Sequence, residues 1–356
     1  MKLLILKYRG FRVSSMQIVK LMILLYSSVA LISCASFPVS NHCDGSEFFN
    51  NPIDSADQGF SDVIKWMWEM KTVEWPEWIY DTPQPAPPLK IKKGELRITH
   101  INHATILIQI DCLNILTDPI FSDYAGPISF LGSKRIRKPG VSIDSLPKID
   151  IILISHNHFD HLDLPTLEII GKRDKPILIT GLGIKELLDD IPFLEVKELD
   201  WWNTYFHLPD SIDITFVPAL HKSGRGLFDG NETLWGGFVI SNAKGHIYFA
   251  GDTGYGSFLD ELHQRFPEFR LTIIPIGSYE KRWFMKKQHM NPDDAVKAHI
   301  LLNSKQSIGM HYATFLEHPE QTIDQHEKDL DTALKYYKLP RDSFLILKFG
   351  EGIYIP

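Results

Sequence analysis

Apolar residues along this chain fall mostly into short runs of strand length. Runs at 96–101, 105–110 and 114–117 read as β-strands. The run at 149–154 is apolar apart from Asp150, as expected of a strand covered on both faces. Further β-like runs lie at 177–180, 212–217, 235–240, 247–250, 271–276, 307–310 and 344–349. Helices are expected at 164–171, 184–190, 257–266, 292–302 and 319–337. The last opens on Pro319 at the first helical position, where the missing N–H costs nothing, and Ile323, Leu330, Leu334 and Tyr337 recur on one face. Many strands with interspersed helices predict an α/β layered sandwich, two sheets covered by helices.

The two ends of this pattern differ. Lys2, Lys7, Arg9, Arg12 and Lys20 precede an apolar run at 21–33, the order of a secretory signal. That run is shorter than the roughly 20 residues a membrane-spanning helix needs. Leu31-Ile32-Ser33-Cys34 resembles a bacterial lipobox, which implies a lipidated Cys34 and a removed signal of residues 1–33. Met16 is an alternative start to Met1. Residues 34–60 are polar and turn-rich and read as a tether. Residues 61–95 hold Trp66, Trp68, Trp75 and Trp78, then Pro83, Pro85, Pro87 and Pro88, and read as an extended arm. The arm either packs on the domain, the preferred reading, or touches lipid headgroups. Residues 96–356 read as one large domain.

Composition narrows the class. With 44% hydrophobic and 23% charged residues, the chain is neither disordered nor collagen-like. Lys plus Arg is 37 and Asp plus Glu is 44, a net charge of −7, so the cation excess of a duplex-DNA binder is missing and no nucleic-acid partner is expected. There are 15 His against 3 Cys, so a bound metal must rely on imidazole and carboxylate.

The chemistry concentrates at Ser155-His156-Asn157-His158-Phe159-Asp160-His161, directly after the most apolar strand. In an extended segment, residues two apart point to one side, so His156 and His158 can grip one ion while Asp160 and His161 aim at a second. Three more candidates repeat the same position: His221, Asp252 and His311 each stand just past the end of an apolar run. Five His and two Asp suit two divalent ions with mainly imidazole ligands and a bridging carboxylate. His103 and Asp118 either orient these ligands from behind or are ordinary structural residues.

His156-Asn157-His158-Phe159-Asp160-His161 matches the H-x-H-x-D-H signature, and the chain resembles the metallo-β-lactamase superfamily. The likeness is closer to its N-acylphosphatidylethanolamine-hydrolysing phospholipase D branch with the RomA-like bacterial relatives, through 101–105, 116–122, 283–285 and 288–292. The resemblance implies an αββα sandwich of two mixed sheets flanked by helices, with two zinc ions. His156, His158 and His221 would hold one, and Asp160, His161 and His311 the other, with Asp252 bridging. Phe159 and His289 match positions that line the substrate site, and Asp160 and His289 would serve catalysis. Phe159 stands where the animal enzymes have Tyr.

The expected activity is that of a phosphodiesterase on N-acylphosphatidylethanolamine or a related phospholipid, attacked by a hydroxide bridging the two ions. The alternatives are a metallo-hydrolase of a lactone or another phosphodiester, and a non-catalytic envelope lipoprotein. The expected location is the bacterial cell envelope, on the periplasmic face of the outer membrane, anchored through Cys34.

Overall fold

The computed structural model describes residues 36–50, 54, 59–69, 73–128, 130–207, 211–226, 228–316 and 321–356. The chain divides into a unit Met1–Phe37 and a unit Pro38–Pro356, and the fold described here belongs to the second. The expected signal and Cys34 lie outside the described residues.

In chain order the strands are β1 (Leu96–Asn102), β2 (Thr105–Ile110), β3 (Leu113–Thr117), β4 (Tyr124–Ile128), β5 (Leu131–Lys134), β6 (Ile151–Ile154), β7 (Ile177–Gly181) and β8 (Glu195–Leu199). They continue with β9 (Thr204–His207), β10 (Ile212–Val217), β11 (Gly237–Asn242), β12 (Gly245–Phe249), β13 (Leu271–Pro275), β14 (Ser307–Met310), β15 (Phe344–Leu345) and β16 (Gly352–Tyr354).

Two seven-stranded sheets result, in the orders β16-β1-β2-β3-β6-β7-β8 and β15-β14-β13-β12-β11-β10-β9. Each is mixed. The first is antiparallel from β16 to β3 and parallel from β3 to β8. The second is antiparallel from β9 to β12 and parallel from β12 to β15.

Parallel neighbours need crossovers, and helices supply them. Leu164–Asp174 joins β6 to β7, Phe258–Arg265 joins β12 to β13, and Pro292–Leu301 joins β13 to β14. Leu167 and Ile170 of the first pack under Ile152, Ile154 and Leu178 in one apolar cluster. Strands β1, β2, β3, β6 and β7 are buried along their whole length, including polar residues such as Gln109 and Asn114, whose side chains hydrogen-bond each other at 2.9 Å. The sheets meet closely: a Cβ on Gly181 of β7 would lie 3.0 Å from the Phe216 ring of β10. The architecture is the expected αββα sandwich.

Several elements differ from the sequence reading. The run 344–349 yields only two residues of β15; the chain then turns at Gly350 (φ +86°) and returns as β16 in the other sheet. The helix expected at 184–190 shortens to a 3₁₀ turn, Lys185–Leu188. That expected at 319–337 begins only at Gln325. Ahead of it the Thr322 hydroxyl donates to Asp324 at 2.8 Å and the Gln325 N–H to Thr322 O at 2.9 Å, closing a turn that competes with helix. Pro319 itself lies outside the described residues.

Trp66 and Trp68 sit on a helix, Phe60–Glu69, rather than on extended chain. Trp66 stacks on Phe284 at 5.0 Å, and the Trp75 indole donates to Gln321 O at 2.7 Å. Upstream, Ser40–Asn50 is seated on the same unit: His42 Nε2 lies 2.7 Å from Asp200 Oδ1 and Phe48 is buried.

Candidate metal centre

All of the candidate ligands emerge from strand ends at one edge of the sandwich. His156 to His161 follow β6, His221 follows β10, Asp252 follows β12 and His311 follows β14. Turning out of a strand this sharply needs unusual backbone. His103, Asp118 and His311 are non-glycine residues at φ +44°, +34° and +61°. Such conformations cost about 1–2 kcal/mol each, and they gather where the surrounding fold holds a site in place. Two glycines make the approach possible. Gly251, at φ +60°, would carry a Cβ 2.7 Å from Ser155 Cβ, and a Cβ on Gly277 would meet His311 O at 1.9 Å.

The ligand atoms converge in two adjoining groups. In the first, His156 Nε2 and His221 Nε2 approach His158 Nδ1 at 2.9 and 3.2 Å. In the second, Asp160 Oδ2 lies 3.3 Å from His161 Nε2, 3.4 Å from His311 Nε2 and 2.9 Å from His103 Nε2. Asp252 Oδ2 stands between the groups, 3.0 Å from His311 Nε2, 3.3 Å from His161 Nε2 and 3.9 Å from His221 Nε2. Within each of four sets of three or four residues, one ligand atom per residue lies within 4.8 Å of the others: His156/His158/His221, His103/Asp160/His161/His311, Asp118/His156/His161 and Asp252/His289/His311. His289 Nδ1 is 3.8 Å from Asp252 Oδ2. The Arg225 guanidinium lies 4.0 Å over the Phe159 ring, and the two line one cavity.

The residues behind the ligands set their tautomers. Asp118 Oδ2 accepts from His161 Nδ1 at 2.7 Å and from Ser155 Oγ at 2.6 Å, while Oδ1 accepts from Ser155 N at 2.7 Å. His221 Nδ1 faces Gln288 O at 3.1 Å. With its other nitrogen committed to an acceptor, each of these rings turns an Nε2 lone pair toward the centre. The Asn50 amide grips the His221 backbone: Nδ2 donates to His221 O at 2.7 Å and Oδ1 accepts from His221 N at 3.3 Å. Arg225 donates to Asn157 O and Leu162 O, both at 2.8 Å, bracing the loop that carries His158. The sequence reading missed Asn50 and Arg225. Neither lies in a recognisable local pattern, and their partners are far away in the chain.

Charge makes the cluster receptive to cations. Burial lowers the pKa of His158 to about 4 and holds His156 and His221 well below the ordinary value, so these imidazoles are neutral at pH 7. Burial opposes ionisation of Asp160 and Asp252, but the field of His161 together with hydrogen bonds from His161, His311 and, for Asp160, His103 outweighs it and keeps both carboxyls well below the usual range. Burial would neutralise His161 as well, yet Asp252 and Asp160 hold its pKa well above normal. The two carboxylates thus demand nearby positive charge. A divalent ion meets that demand and leaves His161 Nε2 free to ligate. His161 Nε2 and Asp252 Oδ1 are buried with no hydrogen-bond partner, a costly arrangement that coordination would relieve. Neutral imidazoles, ionised carboxylates and orphaned atoms together fit a divalent transition metal.

A family model described as a beta-lactamase superfamily domain matches residues 113–312. The chain is 34% identical over 263 residues to the N-acyl-phosphatidylethanolamine-hydrolyzing phospholipase D 1 of Caenorhabditis elegans, covering 71% of this chain and 74% of that protein. It is 38% identical over 221 residues to the mitochondrial N-acyl-phosphatidylethanolamine-hydrolyzing phospholipase D of Saccharomyces cerevisiae, covering 61% of this chain and 47% of that one. Among solved structures, a metallo hydrolase of Ignicoccus hospitalis superposes with a TM-score of 0.53 at 20% identity, over 74% of this chain and 99% of that one. Strand order, ligand-bearing strand ends and these matches agree: the chain belongs to the beta-lactamase superfamily and is a metal-dependent hydrolase.

Proposed function

We propose that the protein is a dinuclear zinc phosphodiesterase of the phospholipase D type, acting on N-acylphosphatidylethanolamine or a related phospholipid diester. The observation that carries this reading is the pair of adjoining ligand groups with Asp252 between them. The identity to two proteins named for that hydrolysis supplies the substrate class. His156, His158 and His221 would hold one ion and Asp160, His161 and His311 the other, with Asp252 shared. When bound, such a pair supplies an activated water and neutralises charge on a phosphoryl oxygen.

The chain's own residues do the rest. Asp160, held ionised and fixed by His103 Nε2 at 2.9 Å, accepts a hydrogen bond from the attacking water and orients it. His289, buried beside Asp252, contacts the phosphoryl group or delivers a proton to the leaving oxygen. Phe159 and the Arg225 above it form the wall against which the diester lies.

In this reading residues 1–33 are a lipoprotein signal and Cys34 carries the lipid. The anchored protein works on the periplasmic face of the outer membrane, with 61–95 as an arm packed on the catalytic domain 96–356. The Trp66 and Trp75 contacts support that packing.

The deciding experiment is a product screen on diacyl, N-acyl and lyso-phospholipids beside a soluble bis-aryl phosphodiester. Release of phosphatidate from an N-acylated lipid, abolished in Asp252→Asn and strongly reduced in His289→Ala, is the expected result. Lactone cleavage with every phosphodiester untouched would overturn the reading. Metal analysis of protein purified without chelator should give two zinc ions per chain.

A further inference from the structure

Strands β4 and β5 join neither large sheet; they form a two-stranded ribbon of their own. Its base is fixed. Leu316 N donates to Lys134 O at 2.9 Å and Ile136 N to Thr314 O at 3.0 Å. Phe315 is buried against Ile120 and Ala125, with the Arg135 guanidinium 4.7 Å over its ring. The tip is the reverse. Ile128, Phe130 and Leu131 are 49%, 73% and 56% exposed, where polar turn residues would be usual. A lone hairpin is marginal in water, and this one presents its apolar side chains to solvent.

Polarity is graded along the ribbon. Tyr124 and Lys134 pair directly across its base. No charged residue lies between them in the chain. A Tyr and a Lys at one level with only apolar and small residues beyond is the order a lipid interface selects, with amphipathic groups at headgroup depth and hydrocarbon contacts further in. From Tyr124 to Ile128 the strand advances roughly 13 Å. Interfacial burial of an apolar face needs only about 5–10 Å. A protein partner would want polar or charged groups to fix its orientation, and this tip offers none that are charged.

The ribbon also walls a cavity next to the loop that carries His158 and Asp160. Tyr124, Gly126, Pro127 and Ile128 line one side of a cavity of about 300 Å³, and Phe159 and Arg225 line another. Phe159 stands between His158 and Asp160 in the chain, so the cavity abuts the ligand loop.

We infer that the β4–β5 ribbon dips into a lipid bilayer, with Ile128, Phe130 and Leu131 among the acyl chains and Lys134 at the phosphates, seating the cavity mouth on the membrane. The inference rests on the phospholipid reading for the reaction it serves, but insertion can be measured without any turnover.

The test places a thiol-reactive, polarity-sensitive fluorophore at the tip (Phe130→Cys) in the full chain with Cys34→Ala and Cys112→Ala. Glu195→Cys on β8 is the control. Vesicles of phosphatidylcholine with phosphatidylglycerol carry a quencher on the acyl chain. On vesicle-bound protein the tip label should shift to the blue and lose most of its intensity, while the control label does neither. Solvent-like, unquenched emission from the tip of vesicle-bound protein would overturn the inference. So would a blue shift that grows with protein concentration in the absence of vesicles, which marks a protein contact instead. Insertion without lipid hydrolysis would leave this inference standing and defeat the phospholipase reading alone.

Discussion

Asp118→Asn removes one negative charge from behind His161 while leaving nearly every heavy atom in place. Asp118 is fully buried and accepts three hydrogen bonds, from Ser155 N at 2.7 Å, Ser155 Oγ at 2.6 Å and His161 Nδ1 at 2.7 Å. Its φ is +34°, and Asn tolerates left-handed backbone about as well as Asp, so the substitution adds little strain. An amide accepts only through its oxygen. If that oxygen keeps the Ser155 N–H, the NH₂ group faces both the Ser155 hydroxyl and the His161 ring N–H. The hydroxyl can rotate away. The imidazole can respond only by moving its proton to Nε2, the atom aimed at the metal centre.

Each buried charge-assisted bond lost should cost about 1.5–3 kcal/mol. Losing the partner that orients a ligating His typically lowers metal affinity about 10–100-fold. The assay pairs urea denaturation with zinc competition against a metallochromic chelator. A variant that loses stability yet binds zinc as tightly as wild type would show that Asp118 merely holds the core together. The tautomer argument would then be wrong.

Three further outcomes follow from the geometry. Asn50→Ala should weaken zinc binding at the His156/His158/His221 group about tenfold, with little change in melting temperature and recovery in excess zinc; unaltered affinity would reduce Asn50 to surface packing. Gly251→Ala forces a side chain onto φ +60° and within 2.7 Å of Ser155 Cβ. It should destabilise by about 2–5 kcal/mol, and a wild-type melting curve would contradict that. Burial lowers the pKa of His100 to about 4 and of His326 to about 3, from 6.5. Below about pH 6.5 the unfolded chain therefore binds more protons than the native one. Stability present above that pH falls as acid is added, by roughly 3 kcal/mol for His100 alone once pH reaches about 4. His326→Phe, keeping a ring stacked 4.4 Å from Tyr312, should flatten the slope between pH 5 and 6.5 in urea titrations; an unchanged slope would show that His326 is not buried neutral.

Strands were most legible where both faces are buried. The runs 105–110, 212–217 and 307–310 match β2, β10 and β14 at both ends, because buried apolar residues dominate these strands and turns bound them. Edge elements were not legible. β8 alternates exposed and half-buried residues up to a buried Leu199, and β4 and β5 are mostly exposed, so neither carries a hydrophobic signature. The Trp-rich segment misled for a related reason: its prolines start only at Pro76, leaving Phe60–Glu69 free to form a helix ahead of them.

By itself the sequence determined which side chains are available for metal chemistry, and that each follows an apolar strand. Both facts are local, since a strand's hydrophobic run and the ligand after it are a few residues apart. Only the tertiary structure decided that the four ligand-bearing strand ends reach one edge of the sandwich and that Asp252 falls between two groups. It also decided that Asn50 holds the backbone of His221, 171 positions away. Parallel pairing through helical crossovers brings those ends together, and no short-range pattern encodes which strands pair. The left-handed turns at His103, Asp118 and His311 belong to the same level. Asp and His tolerate such backbone better than most residues but do not by themselves announce it, and the turns persist because the surrounding structure holds them.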